Sequence, residues 1–158
     1  MYQEEWLEKL GVSDEKLQTY MNEHDLEFSK EDMAAAWETY IELLTIIPAQ
    51  PIKGINPLES AALAGVYSFF QTTRDVMKRH GSGCFEFARI TTLVLNQKIK
   101  PFTFKWYKRS LNGRLRHDHI RKVFWQEVKE LTVVFMSYMQ ILADIGGFDD
   151  ISGQDIRK

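Results

Sequence analysis

The fold class is decided by residues 117–147, which read HDHIRKVFWQEVKELTVVFMSYMQILADIGG. Large apolar side chains recur along this stretch at intervals of three and four residues: Ile120, Phe124, Val128, Leu131, Phe135, Tyr138, Leu142 and Ile145. This near-heptad spacing is typical of a long bundle helix with one buried seam. Because glycine ends helices, Gly146 and Gly147 are expected to terminate it. We therefore predict an all-α helical bundle.

Capping residues, glycines and prolines divide the chain before this helix into five further predicted helices: 2–10, 13–24, 29–47, 57–80 and 84–98. Ser29 and Asp32 form a variant capping box at the start of the third of these helices. Its predicted core-facing stripe is apolar at helical spacing: Met33, Trp37, Tyr40/Ile41, Leu44 and Ile47. Residues 48–56 are expected to form a stiff connection, and Asn56 to cap the fourth helix.

Residues 101–115 read PFTFKWYKRSLNGRL and are the hardest segment to place. Pro101 is expected to stop the preceding helix, and Asn112-Gly113 is a strong turn signal. We interpret the segment as a loop or short helix, a basic and aromatic-rich connection before the last helix. The predicted organisation is one helical domain over 1–147, with a frayed tail over 148–158. Within it, about four long helices form the bundle, and short acidic helices over 1–28 pack on it.

Composition agrees with a single globular domain. The chain has 158 residues, of which 44% are hydrophobic and 27% are charged. Its one cysteine excludes an internal disulfide, and its acidic start is unlike a leader peptide, so we expect a reducing, cytoplasmic location. No apolar run approaches the ~20 residues that cross a bilayer, so no membrane partner is expected.

Charge is strongly sorted along the chain, although the net charge is only −2. Residues 1–50 hold twelve acidic and three basic side chains, whereas residues 98–122 hold nine basic side chains and one acidic one. Two interpretations compete. The two regions neutralise each other, within one molecule or between neighbours, or the basic segment forms an anion-binding surface.

The basic segment 98–122 is the main candidate site because it interleaves cations with aromatic rings. Cations contact phosphates, and exposed rings stack on unpaired bases. The candidate polyanion-binding residues are Lys98, Lys100, Lys105, Trp106, Lys108, Arg109, Arg114, Arg116, Arg121 and Lys122. The alternative is that Phe102, Phe104 and Trp106 fill the core while the cations keep the segment soluble.

A weaker phosphate candidate surrounds a glycine-rich turn, where free amides at a helix start favour an anion: Lys78, Arg79, Gly81, Ser82 and Gly83. The alternative there is a plain turn between helices. The candidates for a catalytic or metal-binding role are Cys84 and the pair His117 and His119. No catalytic or metal-binding pattern joins them, so we expect neither a metal nor a cofactor.

The sequence thus predicts a non-enzymatic binding or assembly subunit whose basic segment contacts nucleic-acid backbone, RNA included, or another polyanion. An alternative is an adaptor or homo-oligomer that pairs its acidic N-terminal half with the basic segment. An enzyme using His117, His119 or Cys84 is the third hypothesis. Twenty aromatic residues also suggest a partner-binding face, for which the candidates are Tyr2, Trp6, Trp125, Tyr138 and Met139, unless they belong to the core.

Overall fold

A computed structural model describes residues 1–46 and 57–152 of the chain. These residues form helices and turns without a strand, which confirms the all-α helical bundle. The α-helices of the described part are α1 (Trp6–Leu10), α2 (Glu15–Glu23), α3 (Lys30–Ile46), α4 (Pro57–His80), α5 (Phe85–Val94), α6 (Lys100–Leu111) and α7 (Asp118–Gly146). The predicted cap Asn56 and the connection 48–56 lie outside the described residues, as does Ile47 of the predicted stripe.

Helix α7 is the centre of the bundle and packs mainly against α3. The predicted seam is confirmed, since its residues from Phe124 to Ile145 are buried and Ile120 is half-buried. Phe69 of α4 meets this seam edge-on, with its ring centre 5.3 Å from that of Phe135. The helix ends as predicted, because Gly147 takes the left-handed conformation (φ 72°) that favours glycine.

Helix α3 is rotated relative to the prediction. The predicted core residues Met33, Trp37 and Ile41 are exposed, whereas Tyr40 of the same prediction is buried and Leu44 is half-buried. The buried face consists of Asp32, Ala35, Ala36, Thr39, Tyr40 and Leu43. The alanines let neighbouring helices approach closely, which bulky side chains would prevent. Two inward polar groups also fix the rotation, since Asp32 and Tyr40 both bind backbone groups of other elements.

Pro101 does not stop the helix, contrary to the prediction. Helix α5 continues through a π-helical turn, Leu95–Ile99, directly into α6. Within this turn the amide of Lys100 bonds to the carbonyl of Leu95, five residues back. This wider turn accommodates a proline, which otherwise clashes with the carbonyl four residues earlier. Of the two predicted alternatives for residues 101–115, the loop is wrong and the short helix is confirmed, as helix α6 up to Leu111.

Two glycines with a left-handed backbone follow helices of the bundle, and the turn at Asn112-Gly113 is the predicted one. Gly11 ends α1 with φ 70°, and Gly113 follows α6 with φ 71°. The predicted helix over 13–24 begins slightly later, since the N-cap of α2 is Asp14, whose carboxylate accepts the amide of Leu17 at 3.0 Å. Ser13 instead exchanges two backbone hydrogen bonds with the side chain of Gln97.

The first part of the predicted frayed tail is docked on α3. Tyr40 donates its hydroxyl to Asp150 at 2.8 Å and accepts the amide of Ile151 at 2.6 Å. The ring of Phe148 lies edge-on to those of Trp37 and Tyr40, with ring centres 5.0 and 4.8 Å away. The prediction of fraying is therefore wrong for residues 148–152, and residues 153–158 lie outside the described part.

Candidate polyanion-binding surface

Helices α6 and α7 form a helical hairpin joined by residues 112–117. Phe102 and Trp106 of α6 contact Phe124 of α7, and Lys105 and Trp106 contact Glu127. A helix rises about 1.5 Å per residue, so the backbone of every residue from 108 to 122 lies within roughly 8 Å, along the axis, of this connection. We call residues 108–122 the hairpin end. It holds six cations and one carboxylate.

Four of the predicted cations at the hairpin end are exposed: Lys108, Arg114, Arg116 and Lys122. None of the four has a carboxylate partner within residues 1–46 and 57–152. His117 and His119 are also exposed there, with ring centres 6.0 Å apart.

Three other predicted cations have partners of their own. Lys105 pairs with Glu127, which also accepts the indole N–H of Trp106 at 3.0 Å. The guanidinium of Arg109 lies over the Trp106 ring, 4.9 Å from its centre. Arg121 pairs with Asp118 in the first turn of α7. These side chains support the hairpin itself and are less available to an external anion.

The remaining two cations lie away from the hairpin end. Lys98 sits directly over Gly11, and Lys100 lies 5.8 Å from the ring centre of Phe104. Lys98 does share a groove of about 710 Å³ between α6 and α7 with Lys105 and Lys122. The predicted ten-residue site is therefore not one patch, and its densest unpaired part is the hairpin end.

Trp106 is not a stacking surface, contrary to the prediction. Its side chain is 0% exposed and packs edge-on against Phe124, with ring centres 5.1 Å apart. Phe102 is buried beside it, so the core interpretation is confirmed for these two rings. Phe104 and Tyr107 lie on the outer face of α6 and are exposed.

The acidic N-terminal helices do not neutralise the hairpin end. Within the described ranges, the ion pairs of residues 1–46 are those of Glu38 with Arg79 and His80 of α4. Burial alone would raise the pKa of the Glu38 carboxyl, but hydrogen bonds and charges from His80 and Arg79 outweigh it and hold this pKa below its ordinary value. Within the described ranges, this pairing leaves Lys108, Arg114, Arg116 and Lys122 without a carboxylate partner.

The glycine-rich turn does not offer the predicted phosphate site. Arg79 is bound to Glu38, and the amide of Phe87, at the start of α5, donates to Asp32 at 2.9 Å. Glu31 also packs against Gly83. The carboxylates of Asp32 and Glu31 therefore already occupy the position in which an anion would bind. Gly81 and Ser82 instead belong to a short 3-10 turn that links α4 to α5.

Replacing Asp32 tests this capping role. The buried carboxylate accepts the amides of Ser29 and Phe87, and both would lose their partner in Asp32→Ala. We expect the free energy of unfolding, measured by urea titration, to fall by about 2 kcal/mol. Glu31→Ala, at the exposed neighbouring position, is the control and is expected to change it by less than about 0.5 kcal/mol. Equal effects of the two substitutions would contradict the assignment.

The groups proposed for chemistry do not form a site. Cys84 is buried, its thiol donates to the carbonyl of Gly81, and burial together with the charge of Asp32 raises its pKa. A raised pKa opposes nucleophilic use. His117 and His119 are exposed on α7 and its N-cap, and the described residues contain no cluster of three or more metal-ligating side chains.

The predicted partner-binding aromatics belong mostly to the core. Trp6, Tyr138 and Met139 are buried, Trp125 is half-buried, and Tyr2 is exposed.

In the part of the chain that the structure describes, no helix has the length and apolarity to cross a bilayer. The fold and surface together define an all-α helical bundle with a basic hairpin end. No protein-family model, curated protein or solved structure matches the chain.

Proposed function

We propose that this chain is a non-enzymatic helical subunit that binds the phosphate backbone of nucleic acid through its hairpin end. The observation that carries the proposal is a group of four exposed cations that have no carboxylate partner within residues 1–46 and 57–152: Lys108, Arg114, Arg116 and Lys122. Such side chains bind phosphates and release the counterions condensed around them.

The arrangement favours phosphate contacts over base contacts. Trp106, the ring closest to the paired cations, is buried, and the exposed rings of Phe104 and Tyr107 lie on α6, before the hairpin end or at its edge. Arg114 and Arg116 instead occupy a short 3-10 turn at the tip of the hairpin, with flexible side chains in solvent. Backbone contacts position a protein without selecting sequence, so binding is expected to be independent of sequence.

The salt dependence of binding tests this function. We expect a fluorescent 20-nucleotide oligouridylate to bind with a logarithmic salt slope of about −3, because four phosphate contacts on a single strand each contribute roughly −0.7. Fluorescence anisotropy at several salt concentrations measures the slope. Absence of binding at low salt, or a slope near zero, would overturn the proposal.

A further inference from the structure

The groove between α6 and α7 has an apolar floor. We call it the α6–α7 groove. Its volume of about 710 Å³ is within the range of roughly 300–1,000 Å³ that is typical of sites for small organic ligands. Phe102 and Leu131 line it and are each only 6% exposed, so they form its bottom, while the exposed side chain of Val123 forms part of its wall. A flat apolar group can therefore be withdrawn from water in this groove.

The α6–α7 groove is continuous with the hairpin end, because the two share a lysine. Lys122 belongs to the hairpin end and also lines the groove, together with Lys98 and Lys105. Lys105 is bound to Glu127, whereas Lys122 is exposed and has no carboxylate partner within residues 1–46 and 57–152. A phosphate bound by Lys122 is therefore placed at the edge of the apolar floor.

Polar side chains of α7 complete the lining of the groove. Gln126 and Glu130 are exposed one helical turn apart, and the amide of Gln126 donates to Glu130 at 3.5 Å. Both oxygens of Glu127 are engaged, one by the indole of Trp106 and the other by a lysine. Glu130, in contrast, takes part in no ion pair among the described residues. Its carboxylate can therefore accept a hydrogen bond from a group in the groove.

We propose that the α6–α7 groove holds one unpaired nucleobase of the strand whose phosphates bind the hairpin end. The face of the base would lie on the apolar floor, its edge toward Gln126 and Glu130, and its phosphate on Lys122. A paired base is stacked inside a duplex and does not reach such a groove. The ligand is then single-stranded nucleic acid, a conclusion that rests on the proposed function.

The combination of groups in the groove favours a nucleobase over a fatty acyl chain. An acyl chain has no hydrogen-bond donor and gains nothing from Gln126 and Glu130. Each of the four bases carries an N–H donor on the edge that is used for Watson–Crick pairing, so Glu130 can accept from any of them. The groove thus adds one base contact to the phosphate contacts without selecting a sequence.

A strand without bases tests the base contact. A fluorescent 20-residue abasic strand keeps the phosphates of oligouridylate and lacks its bases. We expect the wild-type protein to bind the abasic strand about fivefold more weakly, which is the lower end of the range for one stacked base. The logarithmic salt slope should be about −3 for both strands, since both make the same phosphate contacts. Equal affinities for the two strands in anisotropy titrations would overturn the proposal.

Two matched valine substitutions locate the contact. Val123→Gln places a longer, polar side chain in the groove, whereas Val133→Gln makes the same change at an exposed position of α7 outside it. Val123→Gln should weaken binding of oligouridylate about fivefold and leave binding of the abasic strand unchanged. Val133→Gln should leave both affinities unchanged. Equal effects of the two substitutions on oligouridylate would refute the placement of the base in the groove.

The outcomes distinguish a failure of the groove from a failure of the proposed function. Oligouridylate binding with the expected salt slope, together with equal affinity for the abasic strand, would overturn only the groove. Absence of binding to either strand at low salt would overturn both. If Val123→Gln reduces self-association or the binding of a fluorescent fatty acid and leaves the affinity for oligouridylate unchanged, the groove has another occupant and the proposal is wrong.

Discussion

Alanine at Lys108, Arg114, Arg116 and Lys122 together is expected to weaken binding to the 20-nucleotide oligouridylate about a hundredfold at ~0.1 M salt. Each lost phosphate contact removes roughly 0.7 from the logarithmic salt slope, so the slope of the quadruple variant should approach zero. The four side chains are exposed and unpaired within the described ranges, so the free energy of unfolding should change by less than about 0.5 kcal/mol. Anisotropy titrations and urea unfolding measure the two quantities.

The chain offers a matched control for this experiment. Lys9, Lys16, Lys30 and Lys129 are also exposed, and replacing all four by alanine changes the net charge by the same amount. This control should bind oligouridylate with a nearly unchanged slope, since its lysines lie outside the hairpin end. Equal loss in both variants would assign binding to net charge alone and would contradict the site.

The parts of the fold that were predictable are those in which one strong pattern acts alone. Helix α7 repeats its apolar residues over eight positions, and seven of these eight are buried in the structure. The hairpin end was predictable from the sequence for a similar reason. Its cations are close in sequence around the Asn112-Gly113 turn, so any hairpin that turns there brings them together.

The rotation of α3 could not be read from apolar spacing, because large side chains occur on both sides of the helix. The face that contacts α7 is selected by small residues and by two buried polar groups, Asp32 and Tyr40. Their partners, the amides of Phe87 and Ile151, are distant in sequence. The continuation of the helix from α5 through Pro101 into α6 similarly depends on a π-helical turn. No local sequence signal predicts the hydrogen bonds of that turn.

The aromatic residues of α6 were ambiguous for the same reason. Their alternation resembles a strand, but on a helix Phe102 and Trp106 share one side and Phe104 and Tyr107 another. Which side is buried depends on contacts with Phe124 and Glu127 of α7. Most of these contacts join residues that are more than twenty positions apart in the sequence. Helical spacing alone would have placed the two pairs of rings on different sides of the helix, but it would not have shown which side is buried.

Trp106→Ala is expected to lower the free energy of unfolding by about 4 kcal/mol, the largest effect on stability that we predict. The substitution opens a cavity beside Phe124, which typically costs 3–5 kcal/mol for a buried tryptophan. It also removes the indole N–H that Glu127 accepts and the ring on which the cation of Arg109 rests. Urea unfolding of the variant and the wild type measures the difference.

Phe104→Ala is the control, since this neighbouring ring of the same helix is 66% exposed. Its removal should change the free energy of unfolding by less than about 0.5 kcal/mol. If Trp106→Ala proves too unstable to purify, Trp106→Phe keeps an aromatic ring in the cavity and should cost less than the alanine variant, about 2 kcal/mol. Equal costs at positions 104 and 106 would contradict the placement of α6, because both rings would then face the same environment. A large cost at 106 alone separates the buried side of this helix from its exposed side.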